Sequence, residues 1–177
     1  GLKDDRPVLM VVGGSTGAQA INRALRAALP QLLECFQVLH LCGKGNLDVS
    51  LEGTPRYCQR EYLTDEMPDA YAAADILVSR AGSNTLSEIL ALNKPSLLIP
   101  YPKTASRGDQ ILNAQSFEQR GLARVLYQED MTPEVLLRRV VEVYRERGEL
   151  IDAMEKEPSS DGLGNVLKYI NQYAKKA

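Results

Sequence analysis

Short apolar runs alternate with stretches in which apolar residues recur every three or four positions, almost to the end of the chain. Val8–Val12 is continuously apolar, as expected of a central parallel strand covered on both faces. Ala20 to Leu33 reads as a helix, with Ile21, Ala24, Leu25, Ala28, Leu29 and Leu32 on one side. Gln37–Cys42 reads as a second strand, and Gly43-Lys44-Gly45-Asn46 as a turn. Arg56–Gln59 is a weaker strand that continues through Glu61-Tyr62-Leu63, and Met67 to Ala74 is a short, Ala-rich helix. Strand Ile76–Ser79, helix Thr85–Leu92 and strand Ser96–Ile99 follow, and Pro100 stops the last of these. Asp109–Arg120 is helical and ends at Gly121, and Ala123–Leu126 is a last short strand. Thr132-Pro133-Glu134 opens a helix with a capping hydroxyl, a proline and a first-turn acid, and that helix runs to about Arg147. Ser159-Ser160-Asp161-Gly162 breaks the chain before a final helix, Asn165 to Lys175.

This alternation predicts an α/β fold, a Rossmann-like doubly wound parallel sheet, whose ligands sit at the carboxyl ends of the strands. Two strand-to-helix loops at that edge are rich in small residues. One is Gly13-Gly14-Ser15-Thr16-Gly17-Ala18, and the other is Ser79-Arg80-Ala81-Gly82-Ser83-Asn84-Thr85-Leu86-Ser87-Glu88. A strand turning through such a loop into a helix aims unpaired backbone N–H groups at one spot, at the positive end of the helix dipole. Phosphates bind there. Two such loops in one small domain point to a nucleoside diphosphate ligand. The first loop has neither the lysine of a Walker sequence nor the GxGxxG spacing of a dinucleotide fingerprint, so alone it is equally a tight turn.

Composition narrows the classes. A chain of 177 residues suits one domain with an appendage, divided here as 1–161 and a terminal helix in 162–177. A formal net charge of −2 argues against a general nucleic-acid binder. No apolar run approaches the roughly 20 residues that span a bilayer. Cys35, Cys42 and Cys58 follow no CxxC or zinc spacing and read as reduced, partly buried thiols.

Among residues that could carry chemistry, Glu88 lies one helical turn beyond Asn84, where a carboxylate accepts from a ribose diol; a solvated helix face is the alternative. Arg80 could pair with phosphate or with a nearby acid. Thr104–Ala114 follows a strand at the same edge. Asp109 there could be a plain first-turn acid, whereas the Gln110 amide suits sugar hydroxyls, and Asn113 could be a structural amide. His40, the only histidine, lies in a strand and reads as buried and satisfied. There is no Ser-His-Asp set, metal-ligand cluster or convincing general base near the loops, which predicts substrate binding without a full catalytic apparatus.

Taken in order, Gly13–Ala18, Ala70–Asp75, Ser79–Ile89, Pro95–Pro100 and Asp109–Ala114 resemble the carboxyl-terminal half of the MurG family. These are the UDP-N-acetylglucosamine transferases that make lipid II in peptidoglycan synthesis. The resemblance implies half of a GT-B fold, with the sugar nucleotide bound by this domain. The lipid-linked acceptor, the membrane association and the general base would belong to an amino-terminal domain. Gly14, Ser15 and Thr16 would lie near the diphosphate with Arg80, Gly82, Ser83, Asn84 and Thr85, Leu63 would face the uracil, and Glu88 would hold the ribose. Gln110 and Asp109 would contact the glucosamine, although Asp109 departs from the double-glutamine form of the family. No metal or other cofactor is implied.

The chain is thus expected to be an excised donor half, soluble by itself, of an inverting enzyme at the cytoplasmic face of the membrane, and unable to transfer alone. Three competing readings are the donor domain of another UDP-sugar transferase, a natural subunit of a split transferase, and a Rossmann oxidoreductase. The missing GxGxxG argues against the last.

Overall fold

The computed structural model describes residues 2, 5–14, 18–104 and 108–157. Ser15, Thr16 and the terminal helix expected over Asn165–Lys175 lie outside the described residues. Six strands form one parallel sheet: β1 (Val8–Val12), β2 (Gln37–Leu41), β3 (Tyr57–Arg60), β4 (Ile76–Ser79), β5 (Ser96–Leu98) and β6 (Arg124–Val125), in the order β3-β2-β1-β4-β5-β6. The order reverses between β1 and β4, the switch point of a doubly wound sheet. Val12 stands opposite both Leu41 and Ser79, and Ser79 opposite Leu98. The carboxyl ends of β1, β4 and β5 are therefore level, and their loops leave from one edge.

The helices are α1 (Gln19–Cys35), α2 (Met67–Ala73), α3 (Ser83–Ala91), α4 (Asp109–Gln119), α5 (Pro133–Arg145) and α6 (Arg147–Glu155). Central strands are apolar throughout because both faces are covered: Leu9, Met10, Val11, Ile76, Leu77 and Val78 are all essentially buried. α1 turns Ile21, Leu25, Leu29 and Leu32 into this core. α5 adds Leu136, Val140 and Val143. Its start is as the sequence reads: the Thr132 hydroxyl accepts from the Val135 amide.

Two elements differ from expectation. α3 begins at Ser83 rather than Thr85, because extended Gly82 already serves as its cap. The helix expected to run to about Arg147 breaks at Glu146, whose carboxylate accepts from Arg124 Nε at 2.7 Å, and a separate helix, α6, follows. Leu150 and Met154, one turn apart, bring α6 back to the core. Cys35 is exposed at the end of α1 rather than partly buried, while Cys42 is buried and Cys58 half-buried; all three are free thiols.

His40 is buried on β2, as expected. Its Nδ1 lies 2.8 Å from the Tyr57 hydroxyl and its Nε2 2.9 Å from Asn22 Oδ1. The Asn22 amide nitrogen donates to the Cys42 carbonyl at 2.9 Å. That bond fixes Asn22 Oδ1 as the acceptor, so Nε2 carries the proton and Nδ1 accepts from Tyr57. Burial first, and then the charge of Arg26, press the His40 pKa down to about 3. The unfolded chain takes up a proton here near pH 6.5 and the folded chain does not. Stability from this group is therefore complete above about pH 6.5 and is lost as pH falls toward 3. Urea unfolding should show a loss of about 1.4 kcal/mol per pH unit between roughly pH 5.5 and 4 from His40. A His40→Gln variant, less stable at pH 7, should lack that part of the slope; equal slopes in the two proteins would contradict the assignment.

Candidate functional site

Three helices begin at the carboxyl edge of neighbouring strands: α1 after β1, α3 after β4 and α4 after β5. Their cap residues are Ala18, Gly82 and Gly108, none of which has a side-chain acceptor. In α3 the first paired amide is that of Leu86, which donates to the Gly82 carbonyl at 3.0 Å. The N–H groups of Ser83, Asn84 and Thr85 have no helical partner, and Ser83 and Asn84 are exposed. α4 starts from Gly108 at φ 89°, a left-handed conformation that suits glycine. Gly14, at φ 88°, turns the chain away from β1 in the same way and is exposed. Level strand ends thus gather several first-turn amides that have no helical partner, at the positive ends of helix dipoles.

Beside this edge, α2 and α3 enclose a cavity of about 540 Å³ lined by Met67, Pro68, Tyr71, Ala72, Glu88, Leu92 and Lys94. Glu88 is exposed on α3, and its Oε2 accepts from the Tyr71 hydroxyl at 2.6 Å. Burial, and then this bond to a carboxylate, raise the Tyr71 pKa, so the phenol remains a donor. Lys94 Nζ donates to the Ala74 carbonyl at 2.8 Å, and no ion pair between Lys94 and Glu88 is present among the described residues. Leu63 is half-buried against the core in the β3–α2 connection and does not line the cavity. Met67, Pro68 and Tyr71 do line it and were not singled out from the sequence. Tyr71 stands within Ala70–Asp75, one of the segments that carry the resemblance.

Arg80 turns inward beneath the loop. It is 7% exposed, and its guanidinium donates to the carbonyls of Ile99 at 3.0 Å and Pro100 at 3.1 Å and to Gln128 Oε1 at 2.6 Å. It also stacks on the Tyr101 ring, 4.0 Å from the centroid. The two carbonyls at the end of β5 and Gln128 take up the Nη donors of this buried cation, while its Nε has no partner among the described residues. Arg80 therefore braces the loop from beneath.

Gln110 and Asn113 extend that bracing. Gln110 Oε1 accepts from the Tyr101 amide at 3.2 Å, which leaves its NH₂ group as the free donor. Asn113 Nδ2 donates to the Ala81 carbonyl at 3.1 Å and ties α4 to the loop before α3, the structural role its position allowed. Asp109 is exposed in the first turn of α4. Among the described residues no cluster of His, Cys, Asp and Glu is placed to hold a metal ion, and no helix is long and apolar enough to cross a membrane.

Known proteins share both the sequence and this architecture. Residues 8–166 match the glycosyltransferase family 28 C-terminal domain. A UDP-N-acetylglucosamine--N-acetylmuramyl-(pentapeptide) pyrophosphoryl-undecaprenol N-acetylglucosamine transferase of Lachnospira eligens is 50% identical over 97% of this chain and 48% of its own length. The transferase of the same name from Geobacillus thermodenitrificans is 51% identical over 96% of this chain and 48% of its own. The crystal structure of Acinetobacter baumannii MurG superposes with a TM-score of 0.70 at 30% identity, over 86% of this chain and 45% of that one. CalG4, a calicheamicin glycosyltransferase, superposes with a TM-score of 0.65 at 17% identity over 96% of this chain and 45% of its own, a likeness of fold alone. The chain spans about half the length of the curated relatives it matches. This chain belongs to the MurG family of glycosyltransferases, and within it to the carboxyl-terminal domain of the GT-B fold.

Proposed function

We propose that this chain binds UDP-N-acetylglucosamine and serves as the donor half of an inverting transferase that passes the sugar to a lipid-linked acceptor. The observation that carries this reading is the gathering of three uncapped helix starts at adjacent strand ends, one turn from a carboxylate at the rim of a cavity. The amides suit a diphosphate. Glu88 suits a ribose diol, and the apolar walls of Met67, Pro68 and Leu92 suit a flat base beside it. The Gln110 NH₂ group, free to donate, suits a sugar oxygen. Gly14, Gly82, Ser83, Asn84 and Thr85 would supply the diphosphate contacts, together with Ser15 and Thr16, while Asp109 would stand beside the sugar.

Departure of the nucleotide places negative charge on the β-phosphate. Amides oriented beforehand stabilise that charge more in the transition state than in the ground state. This donor set meets the charge without a metal or other cofactor. The relatives named above transfer N-acetylglucosamine to an undecaprenol-linked acceptor. By that kinship the acceptor, the base that deprotonates it and a peripheral attachment to the cytoplasmic face of the membrane would fall to a facing half, and no nucleic acid is involved.

Titration calorimetry with UDP, UDP-N-acetylglucosamine, UDP-glucose and UDP-galactose tests the donor. UDP-N-acetylglucosamine should bind best; preference for either other sugar would overturn the assignment. Glu88→Ala should weaken UDP by about 1–3 kcal/mol through loss of a charge-assisted contact, and unchanged affinity would remove Glu88 from the site. Gln110→Ala should weaken UDP-N-acetylglucosamine more than UDP, and equal losses would argue against a sugar contact.

A further inference from the structure

We propose that Tyr71 is the positioning residue for Glu88. Its buried hydroxyl holds one carboxylate oxygen, so that the other faces the cavity between α2 and α3 and accepts from a ligand diol. This inference rests on the reading above that Glu88 receives the ribose of a nucleoside diphosphate.

Three observations converge on it. First, the two partners differ sharply in exposure. Tyr71 is 5% exposed, its ring packed in the core, whereas Glu88 is exposed on the outer part of α3. A buried tyrosine needs a hydroxyl partner, but it does not need one borrowed from an exposed glutamate on another helix. Second, the bond is short, at 2.6 Å, as expected when a phenol donates to an ionised carboxylate. A glutamate in mid-helix otherwise samples several rotamers, and ordering it beforehand removes part of the entropy cost of binding. Third, both groups line one groove with Met67, Pro68 and Leu92, and Lys94, the one cation lining it among the described residues, donates to the Ala74 carbonyl rather than to Glu88. Among the described residues no other bond to the Glu88 carboxylate is present, so Oε1 is left for a ligand. Tyr71 is thus not itself a contact to the reacting atoms. It sets how well Glu88 distinguishes a nucleotide that carries ribose hydroxyls from one that does not.

The experiment compares UDP with 2′,3′-dideoxy-UDP by calorimetry on the full chain. The wild type should bind UDP about tenfold more tightly. Tyr71→Phe, which removes one oxygen and keeps the ring, should weaken UDP about fivefold and leave dideoxy-UDP within about twofold. Combined with Glu88→Gln, it should add no further loss. A merely structural role for Tyr71 would weaken both ligands alike, and that result, or no loss for either, overturns the proposal. If the wild type itself does not distinguish the two ligands, the ribose reading of Glu88 fails, and the Tyr71 proposal with it. Should Tyr71→Phe not fold, Glu88→Asp decides. Its shorter carboxylate cannot keep both partners, so it should weaken UDP about fivefold with dideoxy-UDP unchanged, and full UDP affinity would again overturn the proposal.

Discussion

The backbone amides at a helix start must be paired by something, and at the carboxyl edge of this sheet none of three cap residues supplies a side-chain acceptor. Ala18, Gly82 and Gly108 stand at three cap positions where serine, threonine, aspartate or asparagine would each supply an acceptor. At α5 the chain uses such a residue, Thr132. An uncapped start with alanine forgoes about 1 kcal/mol of helix stability, and with glycine a few tenths. That loss falls on one edge because parallel strands in level register deliver their loops to the same place. The remainder of the fold supplies the compensating burial: both faces of β1 and β4 are covered, and α1 and α5 close one side.

Open amides bind charge well only if they do not move when charge appears. The loops here are cross-braced by side chains from below. Arg80 holds the carbonyls of Ile99 and Pro100 and stacks on Tyr101, the Tyr101 amide holds Gln110, and Asn113 of α4 holds Ala81, just before Gly82. The loops after β4 and β5 are one connected object. The Nη donors of a buried guanidinium need acceptors, so Arg80 fixes the end of β5 as much as the end of β5 fixes Arg80.

Much of this was legible in the sequence. Val8–Val12 read correctly because a strand buried on both faces has no polar alternation to confuse it, and the Thr132-Pro133-Glu134 start carried its own chemistry. Three features were not legible, each for a physical reason. At the break, Glu146 pairs with Arg124, more than twenty residues away, a contact that a local pattern cannot register. The inward turn of Arg80 depends on where Pro100 and Gln128 arrive in space. The groove lined by Met67, Pro68 and Tyr71 depends on how α2 lies against α3, which no local pattern states. In each case a long side chain chose its partner by tertiary proximity, which periodicity and spacing do not encode.

The same amides bear on the difference between binding an anion and stabilising a developing charge. Gly14, Ser83 and Asn84 lie exposed, so their dipoles are opposed by water on the open side. In bulk solvent a hydrogen bond to an anion yields a small net gain, because water is displaced to make it. Removing that water by closing a second surface over the site lowers the local dielectric and strengthens every amide contact to the diphosphate at once. On the proposed function, binding would need only the arrangement seen on this edge, whereas stabilising the charge that develops on departure of the nucleotide would gain most from enclosure. On the function proposed above, a domain that holds its donor through Glu88 and open helix starts would separate the two tasks: affinity would reside on this sheet edge, and rate would depend on what covers it.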